Sequence, residues 1–324
     1  MLAFAAIYTL WGSTYLAIRF AIETIPPFFM AAARFLVAGF LLYALMRWRG
    51  VQAPRRLHWR AAGIVGALLL AGGNGALVWS EQRVASGLAA LLLATIPIWM
   101  VVLDTLRPRG PRLDAQVIAG LALGLAGLGL LMGPGKLLGG ERVNPLGAAV
   151  LMLGAISWSV GSLYSRHAHL PAAPLLAAAM EMIAGGALLV VVGLFAGEAG
   201  RLHLSSISMR SALGLVYLIC FGSLLGFTAY IWLLGVCPPA RVSTYAYVNP
   251  LVAVFLGWLV AGEPLSARTL MAAAVIVGSV ALIITHRPRP VAVAPDTEGL
   301  PTQEEEEAMG VVDNDVPVKD SARE

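Results

Sequence analysis

Two charged residues stand deep inside apolar sequence: Arg34 in PFFMAAARFLVAGF and Glu181 in PLLAAAMEMIAGG. An ionisable group so placed faces a partner, a solute or a polar cavity, because bare burial is too costly. At 1.5 Å per residue, each lies roughly 11 Å from one end of its run. If the runs enter a ~30 Å hydrocarbon layer from opposite faces, the two groups stand roughly 8 Å apart along its normal. A guanidinium and a carboxylate at that depth can form a structural ion pair, or hold the two ends of a zwitterion. Glu181 is also a candidate proton carrier, on which burial and the arginine act in opposite senses.

Pro97 and Pro250 carry the second signal. Each falls near the middle of an apolar run. A proline there removes one backbone hydrogen bond and frees the carbonyl four residues earlier, of Leu93 and of Ala246. Matched interruptions point to a binding site within a membrane, and the alternative is a kink needed for packing. Thr95 and Asn249 add polar groups alongside, and Tyr245 and Tyr247 add amphipathic rings. Trp11 and Trp158, with Ser13, Thr14, Ser157 and Ser159, either line the same space or pack the core. Glu81 and Asp104 lie near run ends and read as surface charges.

Composition dictates what holds these residues. The 324 residues are 59% apolar and 12% charged, with mean hydropathy +0.80. A soluble domain has about 45–50% apolar and about 25% charged residues. A soluble enzyme is excluded and a polytopic membrane protein expected. Ten apolar runs lie near 2–22, 27–46, 59–79, 85–106, 114–133, 145–165, 174–196, 211–235, 239–261 and 267–286. In lipid such runs are helices, so the expected fold is all-α with ten transmembrane helices. The first run lacks a signal peptide's charged start and cleavage site, and reads as a retained span. Twelve arginines lie on the side holding the N-terminus, against six or seven Lys/Arg on the other. The positive-inside rule then places both termini in the cytoplasm.

The halves repeat. Trp11/Trp158, Leu16/Leu163, Arg19/Arg166, Pro27/Pro174 and the charged positions Arg34/Glu181 share an offset of 147; Trp79/Trp232 and Pro97/Pro250 share 153. Five spans per repeat invert the second copy, a common carrier architecture. The expected units are 1–138 and 139–286, followed by a disordered acidic cytoplasmic tail over 287–324. That tail holds ten of the eighteen acids, including Glu304 to Glu307.

The same segments resemble a known family. WGSTYLAIR (11–19), AARFLVAG (32–39), GGNG (72–75), ASGLAALLLATIP (85–97), ISWSVGSLYSR (156–166), EMIAGG (181–186), FGS (221–223), STYAYVNP (243–250) and GEPL (262–265) resemble EamA-type ten-helix permeases of the drug/metabolite transporter superfamily. The resemblance spans about 1–286 and implies two EamA repeats in an inner membrane, exporting small metabolites or drugs.

Other chemistry lacks its parts. Cys220 and Cys237 form no CxxC, and GPGK (133–136) fails the Walker A spacing. HExxH and GxSxG are absent, and His167-x-His169 is too little for a metal site. No enzyme activity, cofactor, metal or nucleic-acid partner is expected; the expected partners are the lipid bilayer and a small-molecule substrate. Gly120-xxx-Gly124 fits close helix packing within the chain, or a homodimer. The leading expectation is secondary active export of small metabolites such as amino acids by alternating access. The alternatives are efflux of lipophilic cations with Glu181 as partner, and a non-transporting membrane protein that docks through its tail.

Overall fold

The computed structural model describes residues 2–84, 89, 92–107, 114–132, 144–252 and 267–285. The acidic tail and residues 253–266, 108–113 and 133–143 lie outside them. All regular structure among the described residues is helical. In chain order come α1 (Leu2–Ala21), α2 (Pro27–Trp48), α3 (Arg56–Ser80), α4 (Ile96–Thr105), α5 (Ala115–Met132), α6 (Pro145–Ser165), α7 (Pro174–Phe195) and α8 (Met209–Val236). The short α9 (Pro239–Val242) precedes a helical stretch over 245–252, and α10 (Ala267–Thr285) follows. Five of these, α2, α3, α6, α7 and α8, are long and apolar enough to cross a membrane.

Prolines start four helices, α2, α6, α7 and α9, where the missing N–H has no helical partner to lose. Elsewhere the first-turn N–H groups need acceptors. Asn144 Oδ1 accepts from Gly147 at 2.9 Å, and Ser208 Oγ accepts from Ser211 at 3.1 Å. The start of α2 lacks a cap of its own and borrows one. Glu198, buried in the loop after α7, accepts from the backbone N–H of Phe28 at 3.2 Å and of Phe29 at 2.9 Å. A carboxylate there also meets the positive end of the helix dipole. The contact pins the loop between α7 and α8 to the first turn of α2.

The central crossing is α2 against α7. A Cβ on Gly39 would stand 2.9 Å from Ile183 Cγ1, and one on Gly186 would stand 2.9 Å from Leu36 Cγ. Both glycines let the two backbones touch. On the far side α5 packs on α10, where Gly120, Gly124 and Gly127 meet Ile283, Ser279 and Ile276. This glycine face is therefore used within the chain.

Two helices carry a widened π-type stretch: Ala67–Asn74 in α3 and Leu218–Phe227 in α8. Such stretches offset the backbone ladder and release carbonyls to side chains. Ser157 donates to the Leu68 carbonyl at 2.8 Å, and Trp11 Nε1 donates to the Gly222 carbonyl at 3.0 Å.

Two outcomes test this packing. Gly39→Val should destabilise the purified protein by about 1–3 kcal/mol through overpacking. It should lower the thermal midpoint in detergent, whereas Gly63→Ala, whose Cβ meets nothing within 4 Å, should leave it unchanged. Glu198→Ala should cost about 1–2 kcal/mol in the same assay by uncapping α2.

Candidate functional site

A cavity of about 70 Å³ lies where α1, α2, α3, α6, α8 and the stretches around Leu93 and Tyr245 converge. Its floor is aromatic. The Trp11 ring lies 5.7 Å from Trp158, 5.1 Å from Tyr230 and 4.9 Å from Tyr245, measured between centroids. Trp158 and Tyr230 are 5.4 Å apart. Offset and edge-to-face pairs of this kind each add about 0.5–1.5 kcal/mol beyond burial. Their polar edges are satisfied: Trp158 Nε1 donates to Tyr230 Oη at 2.8 Å, and Tyr230 Oη shares a 2.6 Å bond with Ser162.

Glycines set the rings in place. A Cβ on Gly73 of α3 would meet Trp158 at 2.8 Å, and one on Gly226 of α8 would run into the Trp11 ring. Both glycines lie in the widened stretches, so each π segment seats one indole. Below the floor, Tyr8 Oη and Thr244 Oγ1 share a 2.6 Å bond, and Arg107 bonds His167 Nε2 at 2.8 Å.

Above the floor the lining turns polar. Arg34 is buried and lines the cavity. Its Nε donates to Ser223 Oγ at 2.8 Å; no other described residue accepts a hydrogen bond from its two terminal nitrogens. Asn74 Oδ1 is buried at the cavity wall without a hydrogen-bond partner among the described residues. Asn249 also lines the space. Its amide, with nitrogen toward the backbone, donates to the carbonyls of Tyr245 at 3.1 Å, Tyr8 at 3.2 Å and Ile7 at 3.3 Å. It thereby ties the 245–252 stretch to α1.

Arg34, Trp11, Trp158, Tyr245 and Asn249, all candidates from the sequence, thus meet in one place. Glu181 and Thr95 do not line it. Glu181 is fully buried on α7, whose backbone at that point touches Gly66 of α3, and both its carboxylate oxygens lack a partner among the described residues. The ion pairs seen there are Asp104–Arg107, Glu198–Arg201 and Glu23–Arg210, so Arg34 and Glu181 are not paired. Depth was readable from position along each run. Direction was not, because α2 and α7 are apolar around most of their circumference. Thr95 Oγ1 turns back to the Leu92 carbonyl at 2.6 Å and to Met152 Sδ at 3.7 Å.

The prolines sit beside the interruptions rather than in them. The helix breaks at Ala94–Thr95, and Pro97 occupies the first turn of α4. On the other side the turn falls at Ser243–Thr244, and Pro250 lies within the helical stretch 245–252. Tyr247 points away from the cavity, packing its ring on Gly124 of α5.

Two polar wall residues escaped the sequence reading, Tyr15 and Asn74, as did Ser223, which bonds Arg34. Asn74 had a signal, since it is the one amide in the apolar run of α3, inside GGNG. Glu81, expected at the surface, has both carboxylate oxygens buried.

The model of the EamA-like transporter family matches residues 1–133 and 145–285. The chain is 41% identical to "Uncharacterized inner membrane transporter YedA" of Escherichia coli (strain K12) over 282 residues, 87% of this chain and 89% of that one. It is 24% identical to "Probable amino-acid metabolite efflux pump" of the same strain, over 83% of this chain and 89% of that one. A solved crystal structure at 23% identity superposes with a TM-score of 0.72, covering 87% of this chain and 96% of that one.

Tyr230→Phe would remove the acceptor of the Trp158 indole N–H at the floor, while the Ser162 hydroxyl keeps its bond to the Trp158 carbonyl. It should cost about 1–3 kcal/mol, read as a lower thermal midpoint in detergent.

Proposed function

This chain belongs to the EamA-like transporter family, and on that premise we propose that it exports small polar metabolites, amino acids foremost, by alternating access. The observation that carries the reading is the buried Arg34 guanidinium, with terminal donors that no described residue takes up, at a small cavity. Planar guanidinium donors match a carboxylate in bidentate fashion. The aromatic floor suits the apolar part of such a solute. About 70 Å³ is far below the ~300–1,000 Å³ of pockets that enclose drug-sized ligands, which disfavours efflux of bulky cations. So does a fixed positive charge in the wall. The relative named as a probable amino-acid metabolite efflux pump points the same way.

The architecture we propose is ten spans in two inverted repeats, with both termini cytoplasmic. Support comes from contacts that repeat at the offset of 147. Gly39 meets Ile183 while Gly186 meets Leu36, and 39/186 and 36/183 are equivalent positions. Trp11 and Trp158 are equivalent, and so, at an offset of 153, are the glycines that seat them, Gly73 and Gly226. Two packings related by such symmetry give the two tilts that alternating access needs. In the proposed orientation the cavity lies on the outer side of the aromatic floor. Glu181, a carboxylate without a donor or a cation in contact, is expensive to keep ionised, which supports a role in proton handling.

The test is efflux from proteoliposomes loaded with a mixture of amino acids and related metabolites, read by mass spectrometry. The wild type should release one solute class selectively. Arg34→Ala should abolish that release while the protein still elutes as a folded species, and Arg34→Lys should retain a fraction of it. Equal release by Arg34→Ala would remove Arg34 from the binding site.

A further inference from the structure

The Arg34 guanidinium is fixed along one edge. Its Nε donates to Ser223 Oγ at 2.8 Å. Nη2, the terminal nitrogen that shares an edge with Nε, lies against the α8 backbone one residue earlier. A Cβ on Gly222 would stand 3.2 Å from Nη2 and 3.5 Å from Cζ. The neighbouring Phe35 ring covers one face of the plane, its centroid 4.6 Å from Cζ. Ser223 is fully buried, so water does not compete for its hydroxyl.

The same piece of α8 holds a second part of the cavity. The Gly222 carbonyl accepts from Trp11 Nε1 at 3.0 Å, and a Cβ on Gly222 would also meet Thr14 Cγ2 at 3.1 Å. Both α8 residues lie in the widened stretch Leu218–Phe227, and neither lines the cavity.

A guanidinium offers two edges with paired, parallel N–H groups: one with Nε and Nη2, the other with Nη1 and Nη2. A hydroxyl and a helix backbone occupy the first edge of Arg34. The second remains for the cavity that Arg34 lines, and no described residue accepts from it.

We propose that Ser223 and Gly222 are the positioning residues of the anion site. Ser223 takes the Nε–H and Gly222 leaves room for Nη2, so that the solute's carboxylate binds end-on, one oxygen to Nη1 and the other to Nη2. The proposal rests on the reading of Arg34 as the anion site. Neither α8 residue touches the solute. Both act through the guanidinium, which they hold in its bound geometry before the solute arrives. A long side chain that is already ordered loses no freedom on binding. The end-on mode also sets what fits. A carboxylate places two acceptor oxygens against the edge. A primary carboxamide of the same shape places one oxygen and one NH2 there, and that NH2 faces N–H donors.

The test uses proteoliposomes loaded with an equimolar mixture of the twenty proteinogenic L-amino acids. For whichever amino acid the wild type releases, KM and maximal rate are measured with that amino acid alone. Its carboxamide is then loaded beside it as a competitor. The wild type should prefer the acid by at least about tenfold, because the amide leaves one donor unpaired. Ser223→Ala should raise KM roughly 3–10-fold, the penalty of ordering one long side chain on binding, with the maximal rate within about twofold of wild type. The inhibition constant of the carboxamide should hold, so the preference for the acid narrows by the same factor. Gly222→Ala, which crowds Nη2, should act as Ser223→Ala does, and it carries the test if Ser223→Ala does not elute as a folded species.

A wild type that takes acid and carboxamide alike overturns the end-on mode without any variant. An unchanged KM in a folded Ser223→Ala or Gly222→Ala, or acid and carboxamide weakened equally, overturns the positioning role, since a residue that only packs gives those results. Arg34→Ala separates the proposal from its premise. If it retains release, or if the wild type releases none of the twenty, the anion site falls and the positioning with it. If it is inactive while Ser223→Ala and Gly222→Ala match wild type, the anion site stands and only the positioning falls.

Discussion

Hydrocarbon offers no hydrogen bonds, so a chain this apolar must satisfy each backbone group and each charge from within. The helices answer most of that demand. What remains is concentrated at a few places, and those places organise the molecule. Glu198 supplies acceptors to the first turn of α2 from a loop nearly 170 residues away in sequence. The carbonyls released by the π stretches of α3 and α8 are taken up by Ser157 and Trp11. These two helices flank the aromatic floor, so the same local departures that satisfy the backbone also position the rings. The cavity exists because its walls were built to hold polar atoms that lipid would not tolerate.

Much of this was legible in the sequence. The resemblance on WGSTYLAIR and STYAYVNP led to the family, and the offsets 147 and 153 pointed to residues that meet in space, Trp11 with Trp158 foremost. Arg34, Tyr245 and Asn249 stood out as polar or amphipathic residues in apolar runs. What stayed hidden was direction around each helix axis. Glu181 and Arg34 are equivalent by position, yet one faces the cavity and the other faces the interior of a helix contact. A helix apolar on every side gives no moment from which to read its orientation. Glu81 was hidden for the opposite reason: it sits at a run end, where charges usually reach water, and tertiary packing covers it. The π stretches left no trace because GGNG and FGS read as ordinary small-residue packing motifs.

The two buried acids therefore occupy different physical situations. Glu181 is enclosed among α2, α3 and α7 helices, distant from any cation in contact range. Glu81 is at the end of α3, one residue beyond its last, with both carboxylate oxygens buried. A group in the first changes state only when the surrounding helices part.

The π stretches have a mechanical meaning as well. A helix with one surplus residue in a turn can pass that surplus along its length, as a fold travels along a carpet. Each residue it passes swings about its axis by roughly 100°, while the helix ends stay where they are. In α3 that swing would carry Gly73 and Asn74 off the cavity wall; in α8 it would carry Gly226 away from Trp11. Each of the two widened stretches thus lies against one indole of the floor, Gly73 against Trp158 and Gly226 against Trp11.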